Sequence, residues 1–231
     1  MVKVKITDRK KRFMIRMKTP RIFFRNGICS ALLISSVLLA APAAGQPVMH
    51  GNDGAGEVIS KLHNSLLYVM QNSRALGYQG RFDMLYPVIS EIFDTPLIVQ
   101  VILSRYWKDL DELQQNNFID LFRHLSVATY ASRFDSFDGE QFKELSRQEL
   151  KKGRLLIKTE LVRPNDGPVN LDYLMHENDG RWYIISVIAD GVNDLSLKRA
   201  EYGAVIKDKG FDGLVEDIRG KIHDMENEPD D

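Results

Sequence analysis

Five histidines are the first candidates for chemistry: His50, His63, His124, His176 and His223. An imidazole acts as general base or metal ligand only beside a partner. The five fall in different segments and none is spaced as a metal pair, so each reads as a satisfied or exposed histidine. The sequence has no G-x-S-x-G elbow, no H-E-x-x-H pair and no phosphate loop. Gly54-Ala55-Gly56 precedes a helical pattern, but no strand pattern comes before it, which argues against a nucleotide site. Carboxylates are plentiful, and no two of them stand out as an acid–base couple. A catalytic role is therefore not expected, and neither a cofactor nor a metal is implied.

The N-terminus reads as an export signal. Lys and Arg cluster over 1–26, an apolar run covers Ile28 to Ala41, and the small residues Ala41-Pro42-Ala43-Ala44-Gly45 follow. The rival is a membrane anchor, but the apolar run is short of the ~20 residues a spanning helix needs. Residues 1–43 are thus expected to be a secretory signal peptide, cleaved after Ala43 or one or two residues later. The single cysteine, Cys29, lies inside it, and Asn26-Gly27-Ile28 before it does not resemble a lipoprotein processing site. A cysteine-free mature chain excludes disulfides, thiol nucleophiles and cysteine-ligated metals.

Residues 1–43 hold 10 of the 31 Lys and Arg but one of the 32 Asp and Glu, leaving 21 basic and 31 acidic residues in the mature chain. A chain so acidic is a poor nucleic-acid binder, because the phosphate backbone supplies most of that affinity. It is equally unsuited to permanent residence on an anionic membrane.

The chemistry that remains is apolar, and two kinds of element must position it. Residues 44–56 read as a flexible leader. A first helix is predicted from Glu57 to Leu76, with Val58, Leu62, Leu66 and Val69 on one face and Gly77 as its stop. A short second helix should start at Asp83 with Pro87 in its first turn, and a third after Asp94-Thr95-Pro96. A longer helix should run from about Asp109–Asp111 to Phe134, with Phe118, Leu121, Phe122, Leu125 and Ala128 as its stripe. The period then shortens. Turn signals at Lys152-Gly153, Pro164 to Pro168 and Asn178-Asp179-Gly180 divide four extended segments, roughly 141–150, 154–163, 169–177 and 181–189. Alternating segments joined by hairpin turns make an antiparallel meander. A helix from Asp194 and another over 212–223 close the chain, ahead of an acidic tail at 226–231. The fold class is α+β, a single domain over 57–225.

Taken in order, several short motifs resemble the MlaC family, also called the toluene-tolerance family. They are Tyr86-Pro87 with Phe93-Asp94, Trp107, Tyr130-Ala131-Ser132-Arg133-Phe134, Phe137 to Phe142, Trp182 and Asp190-Gly191-Val192. The stretch Gly191 to Tyr202, with Gly210 after it, looks most like the hopanoid-associated HpnM branch. One departure is Ser186, where the phospholipid-carrying branch usually has an acidic residue.

The resemblance implies an NTF2-like fold, a curved four-stranded antiparallel sheet under N- and C-terminal helices with an apolar pocket between. It implies a periplasmic lipid carrier, expected to be monomeric, that takes a phospholipid or hopanoid to or from an inner-membrane complex. That partner would be an MCE-domain ABC-type transporter or an RND-type exporter, reached with transient membrane contact. Combined with the alternation, it predicts Leu155, Ile157, Leu161, Leu171, Tyr173, Met175, Trp182 and Ile184 as the sheet side of a lipid pocket. Val101, Phe118, Phe122 and Leu125 would be the helical wall. The register of 182–188 is open, since a slip of one residue exchanges Trp182 and Ile184 for Tyr183 and Ile185. Two competing expectations are an adaptor of the same fold with a filled core, and an enzyme with an inward carboxylate or imidazole. The enzyme would require His176 to take the face of Met175.

Overall fold

The computed structural model describes residues 53–228. The expected signal peptide, the leader up to residue 52 and residues 229–231 lie outside the described residues. Helix α1 spans Asp53–Gln71. It starts earlier than Glu57 because its first turn is already packed, with Ala55 fully buried. Helix α2 spans Ser73–Ile92 and is kinked at Gly77 (φ 59°, ψ −177°). Gly77 thus interrupts helical structure where an end was expected, but the chain resumes as helix at once instead of waiting for Asp83. Pro87 sits inside α2, not in a first turn. It is tolerated because it and Asp83, whose carbonyl it leaves unpaired, both face solvent.

Helix α3 spans Thr95–Leu103, and Asp94 caps it by accepting from the Leu97 amide at 3.0 Å. A 3₁₀ turn, Ser104–Asp109, leads to helix α4, Glu112–Arg133. A capping box starts α4: Asp111 accepts from the Gln114 amide at 2.8 Å and Gln114 accepts from the Asp111 amide at 3.0 Å.

The strands are β1 Gln141–Leu150, β2 Arg154–Arg163, β3 Asp166–Asn178, β4 Arg181–Ala189 and β5 Val192–Asn193. They form one antiparallel meander in the order β1-β2-β3-β4-β5, so the sheet has five strands where four were expected. The reason is the Asp190-Gly191 turn. Both residues have positive φ (47° and 79°), as a tight type I′ hairpin demands, and the chain folds back to pair Val192 with Ala189. Helix α5 then spans Asp194–Glu226 as one element broken at Gly210 (φ 74°, ψ 179°), where two helices were expected.

Helix α1 crosses one face of the sheet, here called the inner face. Helices α3, α4 and α5 bury a cluster of their own. Strand β1 is one edge, opposite the two-residue β5, and apart from half-buried Phe142 it is exposed on both faces. Among the described residues no helix is long and apolar enough to cross a membrane.

Arg81, 1% exposed, ties the helices together. Its Nε donates to the Ala131 carbonyl near the end of α4 at 2.8 Å, and Nη1 donates to the Ser73 carbonyl at 3.4 Å. A guanidinium buried this deeply holds only when its donors are satisfied. Arg81→Met keeps the volume but strands those carbonyls, and should cost about 3 kcal/mol in urea unfolding.

Candidate functional site

Strand alternation builds the site. Across β2 and β3 the register pairs Leu155 with Met175, Ile157 with Tyr173, Thr159 with Leu171 and Leu161 with Val169. All eight are buried and share the inner face. Thr159 is the polar member, and its hydroxyl is satisfied by donating to the Leu171 carbonyl at 2.6 Å.

Strand β4 continues the face in two pieces. Ile184 pairs with Met175 and Trp182 with Glu177, which puts both on the inner face. Between Leu174 and Met175 the register shifts by a bulge, so Val187 and Ala189 oppose Tyr173 and Leu171 beyond it. The strand therefore changes its inward parity halfway, and Ile184, Ile185 and Ser186 are buried in succession. Ser186 opposes Leu174, on the face away from Met175. Its hydroxyl is buried without a hydrogen-bond partner. The residue that departs from the phospholipid branch thus does not line the inner face.

Helix α1 covers this face. Gly54 packs beside the Trp182 indole and Gly56 beside the Arg147 guanidinium, so closely that a methyl on Gly56 would lie 2.3 Å from Arg147 Nη2. Arg147 opposes Ile157 and holds Glu144 through two hydrogen bonds of 2.7 and 3.1 Å. A charged pair therefore borders the apolar floor on the β1 side.

Further along α1, His63 is buried, stacked on Phe142 at 3.9 Å, and hydrogen-bonded to the Tyr173 hydroxyl at 3.1 Å. Burial lowers the imidazole to about 4 from its ordinary 6.5. Burial also raises the Tyr173 phenol well above its usual range, helped by nearby Tyr130. Both groups are neutral at pH 7, which suits an apolar surround. His63, one of the five histidines expected to be satisfied or exposed, is the buried, hydrogen-bonded kind. Its place on the stripe Ile59, Leu62, Leu66 was the signal that it turns inward.

The sheet half of the predicted site is thus assembled: Leu155, Ile157, Leu161, Leu171, Tyr173, Met175 and Ile184 are buried together, with half-buried Trp182 at the margin. The helical half is not brought to it. Phe118, Phe122 and Leu125 lie among Ile98, Val99, Ile102 and Leu103 of α3 and Tyr202, Leu214, Ile218 and Ile222 of α5, with no strand residue in that cluster. Val101 is half-buried on α3, outside it. The reason is the length of α4. Its C-terminal end brings Tyr130 close to Tyr173, while the stripe from Phe118 to Leu125 lies earlier along the helix, against α5.

His176 points away from Met175 and is hydrogen-bonded through Nε2 to Asp94 Oδ2 at 2.8 Å. It therefore does not reach the inner face. Among the described residues no group of His, Cys, Asp and Glu could hold a metal ion. Two hollows lie at the surface. One, of about 560 Å³, lies between α4 and α5 beside His124, His223 and Glu226. The other, of about 220 Å³, lies where Ser104 and Tyr106 meet α5. Neither is lined by the inner-face residues.

This architecture defines an α+β protein organised round an apolar sheet face covered by helix α1. The family model described as MlaC protein matches residues 60–220, and the chain belongs to that family. Its fold is shared with the phospholipid-binding protein from Ralstonia solanacearum, solved in complex with a phospholipid. The TM-score is 0.67 at 17% identity, and the match covers 75% of this chain and 99% of that one.

His63 makes stability pH-dependent in a defined direction. The unfolded chain takes up this proton near pH 6.5 and the folded chain only near pH 4. Stability from this group is therefore complete above pH 6.5 and falls as pH drops toward 4, by roughly 3 kcal/mol in all. In the double variant His63→Phe/Tyr173→Phe that part of the acid dependence should vanish from urea melts between pH 7 and 4.

Proposed function

We propose that this protein is a periplasmic phospholipid carrier whose acyl chains lie between the inner sheet face and the helices over it. The observation that carries the reading is the buried, mostly apolar inner face of β2, β3 and β4, whose polar member Thr159 is satisfied internally, in a chain whose residues 44–231 are acidic on balance. Family membership and the phospholipid bound to the Ralstonia solanacearum protein support the choice of ligand.

The physics of transfer fits. Burying two long acyl chains at ~0.8 kcal/mol per CH₂ grosses on the order of 20 kcal/mol relative to water, at the ceiling of non-covalent affinity. Relative to a bilayer the same burial nearly cancels, so lipid moves in either direction by direct contact with a docked partner. An inner-membrane transport complex of MCE/ABC or RND type is the proposed partner. A hopanoid is the alternative cargo, since a fused-ring lipid presents the same apolar surface without a phosphate.

A second reading has its own observation. Neither of the two hollows described is lined by inner-face residues, as expected of an adaptor with a filled core.

Lipid extraction and native mass spectrometry of protein purified from its membrane-containing host should recover one phospholipid per chain. Recovery of hopanoid would change the cargo. Recovery of no lipid, with no exchange from vesicles, would leave the adaptor. Ile157→Glu puts a charge in the floor and should abolish retention. Leu145→Glu, exposed on β1, is the matched control and should retain lipid fully.

A further inference from the structure

The hollow of about 220 Å³ between the 3₁₀ turn and α5 is lined by Ile102, Leu103, Ser104, Arg105, Tyr106, Arg199 and Gly203. Its polar side chains are two guanidiniums and two hydroxyls, and no carboxylate lines it. Arg199 Nη2 donates to Ser104 Oγ at 2.9 Å, and Arg105 Nη2 donates to the Tyr106 hydroxyl at 2.8 Å. Each hydroxyl accepts from an arginine, so its own hydrogen is left to donate. The arginines keep their remaining N–H groups as well. A hollow furnished only with donors and two positive charges recognises an acceptor-rich anion.

Two further observations separate this place from an ordinary basic surface. Arg105 and Arg199 have no ion-pair partner among the described residues, although the mature chain has 31 acidic residues against 21 basic ones. Asp109 is near enough for its field to act on Arg105, but it is not part of the lining. Ser104 is held at φ 53°, ψ −118°, a conformation normally left to glycine. Strain of this kind persists where the surroundings fix it, and it gathers at binding sites. Here it aims the serine hydroxyl at Arg199. On α5, Gly203 leaves the opposite wall open, since a methyl added there would meet nothing within 4 Å.

We infer that Ser104, Arg105, Tyr106 and Arg199 form a binding site for a phosphate group, presented either by a lipid headgroup or by free phosphate. The planar fork of each guanidinium matches two oxygens of a tetrahedral oxyanion, and the hydroxyls supply the remaining donors. The inference stands apart from the acyl-chain reading, because the site adjoins the helical cluster and not the inner sheet face.

The test uses the folded protein and soluble probes, so its failure is distinct from a failure to find bound lipid. Inorganic phosphate and glycerol 3-phosphate are titrated in turn while the amide resonances of Ser104, Tyr106 and Gly203 are followed. Saturable shifts centred on these amides are expected, with affinity at least about tenfold weaker in R105Q/R199Q. Both arginines are exposed, so the double variant should melt with the wild-type protein. Competition by phosphatidylglycerol vesicles would identify the headgroup as the source, and its absence would identify soluble phosphate. Ser104→Gly should raise the melting temperature by releasing the backbone yet weaken phosphate binding, a pair of effects that a purely structural serine would not give. Absence of shifts in the wild-type protein, or equal affinity in R105Q/R199Q, would overturn the assignment.

Discussion

Strand β4 is the element that every layer must accommodate. It pairs with β3 and β5 and is approached by α1, α2, α3 and α5. A straight strand shows alternate residues to two faces, so the consecutive burial of Ile184, Ile185 and Ser186 requires cover on both. The bulge opposite Leu174 and Met175 sets which residue takes which face. It lets Ile184 meet the inner face while Ser186, two residues on, joins the other. The corner between α2 and α3 depends on the same place. Phe93 bridges to Ile184, and the Asp94 amide donates to the Ile184 carbonyl at 3.1 Å. Asp94 then caps α3 with one carboxylate oxygen and engages His176 with the other. A single irregular strand thereby sets where two helices meet and which way they leave.

How much of this was legible depended on how each signal is encoded. The inner faces of β2 and β3 could be read from alternation, because Leu155, Ile157 and Leu161, then Leu171, Tyr173 and Met175, repeat with the period of a strand. The hairpins at Lys152-Gly153 and Asp179-Gly180 were equally open, since these residues accept positive φ, whereas Asp190-Gly191 was not read as a hairpin and β5 was missed with it. Strand β4 was opaque because Trp182 to Ala189 is nearly all apolar, and a run without alternation carries no register. The helical residues lie in a separate cluster for a different reason. The stripe from Phe118 to Leu125 is real, and all three of its proposed contacts are buried. Periodicity says which side of a helix is apolar, but not which neighbour that side will meet. Of the two glycine kinks, Gly77 was read as a stop, and Gly210 falls in the gap between the two C-terminal helices that were expected. That the chain would take up helix again immediately depended on tertiary cover that local sequence does not record.

The interior is not uniformly apolar, and its polar groups fall into two kinds. Arg81, Thr159 and the His63–Tyr173 pair are satisfied by fixed partners, so each specifies one arrangement of the elements it joins. The hydroxyls of Tyr78, Ser90 and Ser186 are buried without partners in the protein. Burial pushes the Tyr78 phenol up to about 12, so it keeps its proton and with it a donor that nothing engages. Groups of the first kind stabilise the fold that is present. The second kind are donors in α2 and β4 that add nothing to the specificity of the packing.

The bare edge strand has a consequence of its own. Ten residues of β1 are held by one ladder to β2, with only Phe142 contributing cover. Little apolar surface is exposed when they peel away, so this is the cheapest cooperative opening the sheet offers. Amide protons should therefore exchange with solvent fastest along β1 and slowest in β3, the central strand. The molecule would then loosen from its rim inward, uncovering Leu155 and Ile157 before the strands that hold Tyr173 and Ile184 let go.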